Sequence, residues 1–519
     1  MHIGRQTVRC GMALVGFSVV VAVALGRAAI AQTPTEVTAC GSYSGSLVLV
    51  RDLSTSSGNC ITLASGSTFD GNGHSITVTG GGYAIWIYNR SNVSVTDVTS
   101  NAGIYIGCDD GVGANTVSVT GSTVGSVNAY HVDDVTVDRS TMSSANFAAE
   151  GYDPILRTVF TNNTVTGNGH TLVDFMGYDT HPCPTTNFVV TDNTLTSGYV
   201  CGGSGQPGCD EPKVLFMRCG SGNTVSRNVV RSTGQAMPAR FRDEFDGSTV
   251  SDNTFWGSAA IDGAFGVVNV TSGGVTMHYP QNNVFTRNVI RADNDTALYN
   301  QGEGTGNTFS YNVIWANTDG HVAHVADANI AGQNTYDHNT FYNAGTGAAV
   351  DFSYRAATLD TFTNNIFSVL QPSVFTFDGW SFARYQGDHN LFHNRTGSIS
   401  FGSNGSTLAA WKSNGSPDDA HSIESNPLFV NPDSGGFSLQ SSSPARGAGS
   451  SGTDIGAIAY SCTESWSCTE WSPCSSGIRT RTCTDANSCG TTTSKPTESE
   501  TCTVSDGTAP AAITDLRAS

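Results

Sequence analysis

Between Lys213 and Arg242 the chain sets Lys213, Arg218, Arg227, Arg231, Arg240 and Arg242 within thirty residues that contain no Asp or Glu. These are six of only 24 basic residues in a 519-residue chain of net charge −19. Such a reversal of sign fits two kinds of chemistry. One is salt bridging to acidic neighbours on a solvated face. The other is a cleft for an anionic polymer, because Arg and Lys bind carboxylate and sulfate through charge-assisted hydrogen bonds. The overall acidity, with a pI near 4.8, argues against nucleic acid as the partner.

Strand parity indicates which of these side chains face outward. Burying Ala239 and Phe241 in Ala239-Arg240-Phe241-Arg242 turns Arg240 and Arg242 to the outer face. The same alternation exposes Asp174 in Val173-Asp174-Phe175 and His324 in Ala323-His324-Val325. Val214 to Met217 is apolar at every position, so parity does not decide between Lys213 and Arg218. If strands stack about 4.8 Å apart, Asp174, the Lys213/Arg218 strand and Arg240/Arg242 line one groove. The cysteine-bearing insertion from Tyr199 to Asp210 forms its wall.

The elements that must carry these residues show themselves as a repeated phrase, plainest in Asn223-Thr-Val-Ser-Arg-Asn228-Val-Val and Ser248-Thr-Val-Ser-Asp-Asn253-Thr-Phe. An apolar residue, a polar one three places on and an apolar one five places on recur with Ser122, Ser140, Asn163, Asn193, Asn228, Asn253, Asn288, Asn312, Asn339, Asn365 and Asn390 in the middle slot. Gaps of 18 to 35 residues between slots exclude a helical-hairpin repeat of fixed length. Val, Phe and Ile alternate with Thr, Ser and Asn at period two, which is strand patterning. Short strands at this period make a solenoid that buries its faces by stacking coil on coil. The Asn is expected at a tight bend, its amide bonding the backbone of its own coil and the Asn above.

The pattern resembles the right-handed parallel β-helix of the pectate-lyase-like superfamily, and the resemblance covers most of the chain. Cys60-Ile-Thr-Leu-Ala-Ser-Gly-Ser-Thr-Phe-Asp-Gly-Asn-Gly-His resembles the first coils of such proteins, and Asn426-Pro-Leu-Phe-Val-Asn-Pro-Asp their closing segment. The fold class expected is therefore all-β, a right-handed parallel β-helix followed by a small disulfide-rich module. Fold alone does not fix function.

Lys213 to Gly257 also resembles, loosely, the catalytic coils of the alginate lyase and chondroitinase B family of polysaccharide lyases. There a Lys precedes an Asn-x-x-x-x-Asn rung and an Arg stands just before a Val-x-x-Asn-x-Phe rung, as Arg242 stands before Val250-Ser-Asp-Asn253-Thr-Phe. The resemblance implies β-elimination at a uronate: a cation neutralises the sugar carboxylate, a base removes the C5 proton, and an acid protonates the leaving oxygen. Lys213 is the expected base, because lysines shift their pKa and arginines do not. Arg218 stands nearest the family position for that base. Arg242 is the expected partner of the carboxylate, with Arg240 or His324 assisting the leaving group. Arg218, His324 and Asp174 are expected to contact substrate. A calcium ion would take Asp174, Asp210 and Glu211 as ligands.

Two other readings stay open. A glycoside hydrolase on this fold would use paired carboxylates, Asp109 with Asp110 or Asp133 with Asp134. Asn317-Thr-Asp319 resembles one polygalacturonase motif, but the later ones do not follow it. A non-catalytic adhesion protein would use the β-helix as a stalk, which does not require a basic cluster.

The rest of the chain sets the context. Residues 1–31, with Arg5 and Arg9, an apolar run from Gly11 to Leu25 and Ala29-Ile-Ala31, read as a secretory signal peptide. The expectation is a secreted, extracellular protein without stable membrane insertion, a monomer, with an acidic polysaccharide as its partner. Cys40 and Cys60 are expected to staple the N-terminal end; Cys183, Cys201, Cys209 and Cys219 surround one insertion, and Cys108 has no evident mate. The β-helix is expected over 32–460. Residues 461–505 hold six cysteines and resemble a thrombospondin type 1 repeat, in which Trp466, Trp471, Arg479 and Arg481 would interleave as a cation-π stack. Residues 506–519 resemble the start of a fibronectin type III domain.

Overall fold

A computed structural model describes residues 33–108, 116–148, 157–176, 187–201, 212–218, 220–257, 265–268, 280–301, 304–326, 333–353, 360–377, 385–401, 405–413, 419–487, 489 and 492–503. Among them the chain winds as a right-handed parallel β-helix. A 15-stranded parallel sheet runs from Thr35–Val37 to Tyr385–Asp388. A 27-stranded sheet makes the other two faces, joined because the eight-residue strands Thr123–Tyr130 and Thr141–Ala148 pass from one to the other.

Parity does the sorting. Val225, Val250, Phe285, Phe309, Tyr336 and Phe362 occupy matching inward positions and are fully buried. Their rings stack from coil to coil, Phe285 on Phe309 at 4.7 Å, Phe309 on Tyr336 at 4.9 Å and Tyr336 on Phe362 at 4.3 Å. The core is thus a column of aligned rows rather than one central cluster, as expected where each coil contacts only its neighbours.

All eleven repeat slots fall on one line at one corner, each at most 1% exposed. Asn193 shows the pattern. Its Oδ1 accepts from the backbone N–H and side-chain amide of Asn163, while its own Nδ2 donates to Asn228 Oδ1 and to the Phe160 carbonyl. That carbonyl belongs to the preceding coil, not to the residue's own, so each amide ties two coils together. The line starts at the Val98 N–H, which donates to Ser122, and closes at Ser422, which accepts from the Asn390 N–H. The residue before each slot is held at positive φ, among them Asp192 (61°), Arg227 (55°) and Asn364 (58°). This makes the bend that points the amide inward.

A second ladder lies at the next corner and was not anticipated. Phe188 N–H donates to Asn223, then Asn223 to Ser248, Ser248 to Asn283, Asn283 to Asn307, Asn307 to Asn334 and Asn334 to Asp360. Its signal was present in the sequence as a polar residue five places before each main slot, from Asn223/Asn228 to Asp360/Asn365.

The N-terminal end carries the Cys40–Cys60 disulfide. At the other end, helix Leu408–Ser413 drives Trp411 into the core. The antiparallel pair Phe429–Asn431 and Gly436–Leu439 lays Phe429 and Phe437 against Trp315 and Tyr342. Beyond Tyr460 the chain forms two small antiparallel strand pairs tied by Cys462–Cys489, Cys468–Cys483 and Cys474–Cys502. There Trp471 takes both Arg479 and Arg481, at 5.3 and 4.4 Å, but Trp466 faces Lys495 instead of joining them. Cys201 is disulfide-bonded. Cys108 is in no disulfide, and its thiol lies on the His131 carbonyl.

Candidate functional site

The site lies on the outer side of the face built by Thr171–Met176, Lys213–Arg218 and Met237–Arg242, three strands paired in parallel. Ala239 and Phe241 are fully buried in the core, so Arg240 and Arg242 do point away from it. In register, Asp174 lies beside Phe216 and Phe216 beside Arg240; two residues on, Arg218 lies directly beside Arg242. Parity had left the position of Arg218 open, and the pairing settles it.

Pointing outward does not leave these side chains in water. Arg240 is 3% exposed and Lys213 6%. Phe216 fills the row between Asp174 and Arg240, and cations pack on its ring, Lys213 Nζ at 4.8 Å and the Arg218 guanidinium at 5.4 Å from the centroid. Arg218 and Arg242, whose side chains are 15% and 13% exposed, share one carboxylate: each Nε lies 3.3 Å from an oxygen of Asp243. Asp243 is buried and held at φ 57° just past the end of its strand. It is a member of the candidate site that the sequence reading missed, although it immediately follows the basic window and opens Asp243-Glu244.

Part of the basic cluster is engaged by neighbours away from this face. Arg227 is drawn away to a turn, where it pairs with Asp192 at 2.7 Å, and Arg231 lies on another face against the Trp256 ring at 4.0 Å. Four cations remain, Lys213, Arg218, Arg240 and Arg242, and among the described residues Asp174 and Asp243 are carboxylates beside them.

Burial pushes the pKa of Asp174 up to about 7, against the opposing pull of Arg218 and Lys213. Its Oδ1 is buried with no hydrogen-bond partner among the described residues. A carboxyl poised near neutrality beside fixed cations can both accept and return a proton at physiological pH. The expected calcium ligands do not assemble within the described residues: Asp210 and Glu211 lie outside them, and Asp174 has Lys213 and Arg218 as its charged neighbours.

His324 does face outward, but not into this patch. The row runs from Arg240 through Gly266 and Tyr299 to His324, then to Asp351 and Thr376. Three strand steps put His324 about 14 Å from Arg240 along the axis, too far to serve the same bond. Its Nδ1 lies 2.9 Å from Asp351 Oδ2, and its ring packs on Tyr299 and His321 at 5.4 and 5.1 Å. Burial lowers the pKa of His321.

The carboxylate pairs of the hydrolase reading gain no support from the geometry. Asp134 is held by Arg157 at 2.5 Å on a different sheet from the cationic patch, Asp319 takes the Thr346 hydroxyl, and Asp109 and Asp110 lie outside the described residues.

No family model and no curated protein matches the sequence. Similar solved structures include tailspike protein 3 of bacteriophage CBA120, at 9% identity and TM-score 0.37, covering 70% of this chain and 55% of that one. The A-module of a mannuronan C-5 epimerase of Azotobacter vinelandii matches at 12% identity and TM-score 0.34, over 75% of this chain and 92% of that one. The Dettilon tailspike protein matches at 12% and 0.34, over 62% and 58%. The chain thus spans little more than half the length of either tailspike. Among the described residues no helix is long and apolar enough to cross a membrane.

Proposed function

We propose that the face carrying Asp174, Arg218 and Arg242 binds an acidic, uronate-containing polysaccharide and cleaves it by β-elimination, in an exported protein. The observation that carries this reading is the convergence of four cations on two paired strands, around a single carboxyl poised near pH 7, in a chain of net charge −19.

Arg218 and Arg242, side by side and nearest the surface of the four, are placed to take the sugar carboxylate, with Asp243 holding both guanidiniums in line. Neutralising that carboxylate acidifies the C5 proton. Asp174, ionised in half the molecules near pH 7, accepts it; the C4–O bond breaks as the C4=C5 bond forms, and the leaving oxygen takes a proton from solvent or from the acid just formed. Lys213, favoured as base on chemical type, is buried against Phe216. Here it and Arg240 are positioning residues that hold the local field positive. No step of this scheme requires a calcium ion.

The test is incubation with alginate, pectate, chondroitin and heparin, with and without chelator, watching for unsaturated product near 235 nm. Product from one uronate polymer, rising with the ionisation of a group of pKa about 7, supports the reading. Binding that weakens with salt but yields no product from any polymer replaces it with the adhesion reading.

A further inference from the structure

Five strands further along the face from Asp174, the same outer row presents a second constellation that the elimination scheme does not use. His321 and His324 lie on the strand His321–Ala326, and Asp351 on its parallel neighbour Ala348–Ser353. One donor atom from each, two imidazole nitrogens and a carboxylate oxygen, lies within 4.8 Å of the others. All three side chains are partly exposed, so the site is open to solvent on one side.

We infer that His321, His324 and Asp351 bind a divalent metal of the zinc class. Two imidazoles and one carboxylate suit Zn²⁺, Co²⁺ or Ni²⁺, not the hard cations Ca²⁺ and Mg²⁺, which take oxygen. Metal–nitrogen and metal–oxygen bonds of about 2.0–2.2 Å put neighbouring ligand atoms roughly 3 Å apart. The 2.9 Å between His324 Nδ1 and Asp351 Oδ2 already has that spacing. The two rings are stacked 23° from parallel at 5.1 Å, on the same side of the strand as Asp351 Oδ2.

The supporting shell is also in place. The Thr376 hydroxyl, on the next strand, donates to Asp351 Oδ1 and leaves Oδ2 turned to the histidines. The Tyr299 ring backs His324 from the other side. Partners that fix ligand orientation in this way are what a metal site needs beyond its ligands. Three protein ligands on one side leave coordination positions open toward the outer surface, as in sites that bind a further small ligand.

A second cluster, Asp388, His389 and His421, meets the same distance criterion and provides the internal control. There the His421 side chain is 67% exposed, against 17% for His324, so less of its ring is fixed by packing.

The experiment is calorimetric titration of the chelator-dialysed full chain with ZnCl₂, and visible absorption on titration with CoCl₂, both without glycan. One equivalent per chain is expected at the His321 site. His324→Ala should weaken binding about 100-fold or more, and Asp351→Asn about tenfold. His421→Ala should leave it unchanged. Asp351→Asn keeps the side-chain shape and a group for Thr376 to bond, so it tests the site even if His324→Ala misfolds. No heat and no cobalt bands, binding that survives both substitutions, or binding lost in His421→Ala instead, would each overturn the assignment. Because no polysaccharide is present, failure here leaves the elimination reading untouched, and the converse also holds.

Discussion

Two polar stacks run along this β-helix, and they are built on opposite terms. At the corner, the line from Ser122 to Asn390 is buried to within 1% and links coil to coil through repeated amide contacts. On the outer face, the row through Asp174 and Arg240 is assembled from charges, with an aromatic ring between them and a buried carboxylate oxygen that finds no hydrogen bond among the described residues. A satisfied network rigidifies, whereas an imperfectly satisfied one stores free energy that a ligand can recover. The corner ladder is therefore read as structure and the outer row as a site.

That contrast breaks most sharply at Asp174. Asp174→Asn should lower the elimination rate by about 10³-fold, the scale of a lost general base, while raising stability. The sign follows from the pKa. Raised from 3.8 to about 7, the carboxyl binds a proton in the folded state that the unfolded chain has already released. Its contribution is full below about pH 4 and is lost as pH rises through 7. Melting curves of Asp174→Asn and the parent should therefore diverge between about pH 4 and 7, the variant keeping its full gain at pH 8. A variant that loses stability at pH 8 would place Asp174 with the structural residues.

The corner should behave in the reverse way. Asn253→Ala removes the acceptor of the Asn228 N–H and the donor to the Val225 carbonyl and to Asn288. Leaving those buried groups unpaired should cost about 3 kcal/mol in urea unfolding. Binding measured on the fraction still folded should be unchanged. A loss below 1 kcal/mol would mean that the ladder is not what holds the coils together.

Arg242→Ala comes next. It should weaken glycan binding about tenfold and flatten its salt dependence, with a melting temperature close to that of the parent because Ala239 and Phe241 carry the inward packing. Equal weakening of binding and stability would blur the division between the two stacks. The smallest effect belongs to the exposed pairs of the turns. Arg287, 2.7 Å from Asp252 and 58% exposed, should cost no more than about 0.5 kcal/mol when replaced by Ala. A larger loss would show that charge pairs at the turns, too, hold the coils.

Much of this protein follows from local pattern. Period-two alternation and the recurring Asn decided that the chain coils, which residues line the interior, and that Arg240, Arg242, Asp174 and His324 turn outward, because side-chain direction in a strand depends on parity alone. The second ladder was equally legible, five residues ahead of the first. Other properties belong to the coils only as neighbours. Parity could not tell that Arg240 and Lys213 would be covered, that one carboxylate of Asp243 would serve two arginines, or that Arg227 and Arg231 would leave the cluster for other faces. Those outcomes depend on strand register and on the lengths of the insertions between coils, which decide which coil meets which. Burial and the pKa of Asp174 are set by atoms far apart in sequence, so only the folded stack decided that four of six clustered cations share a site and that His324 meets Asp351 instead.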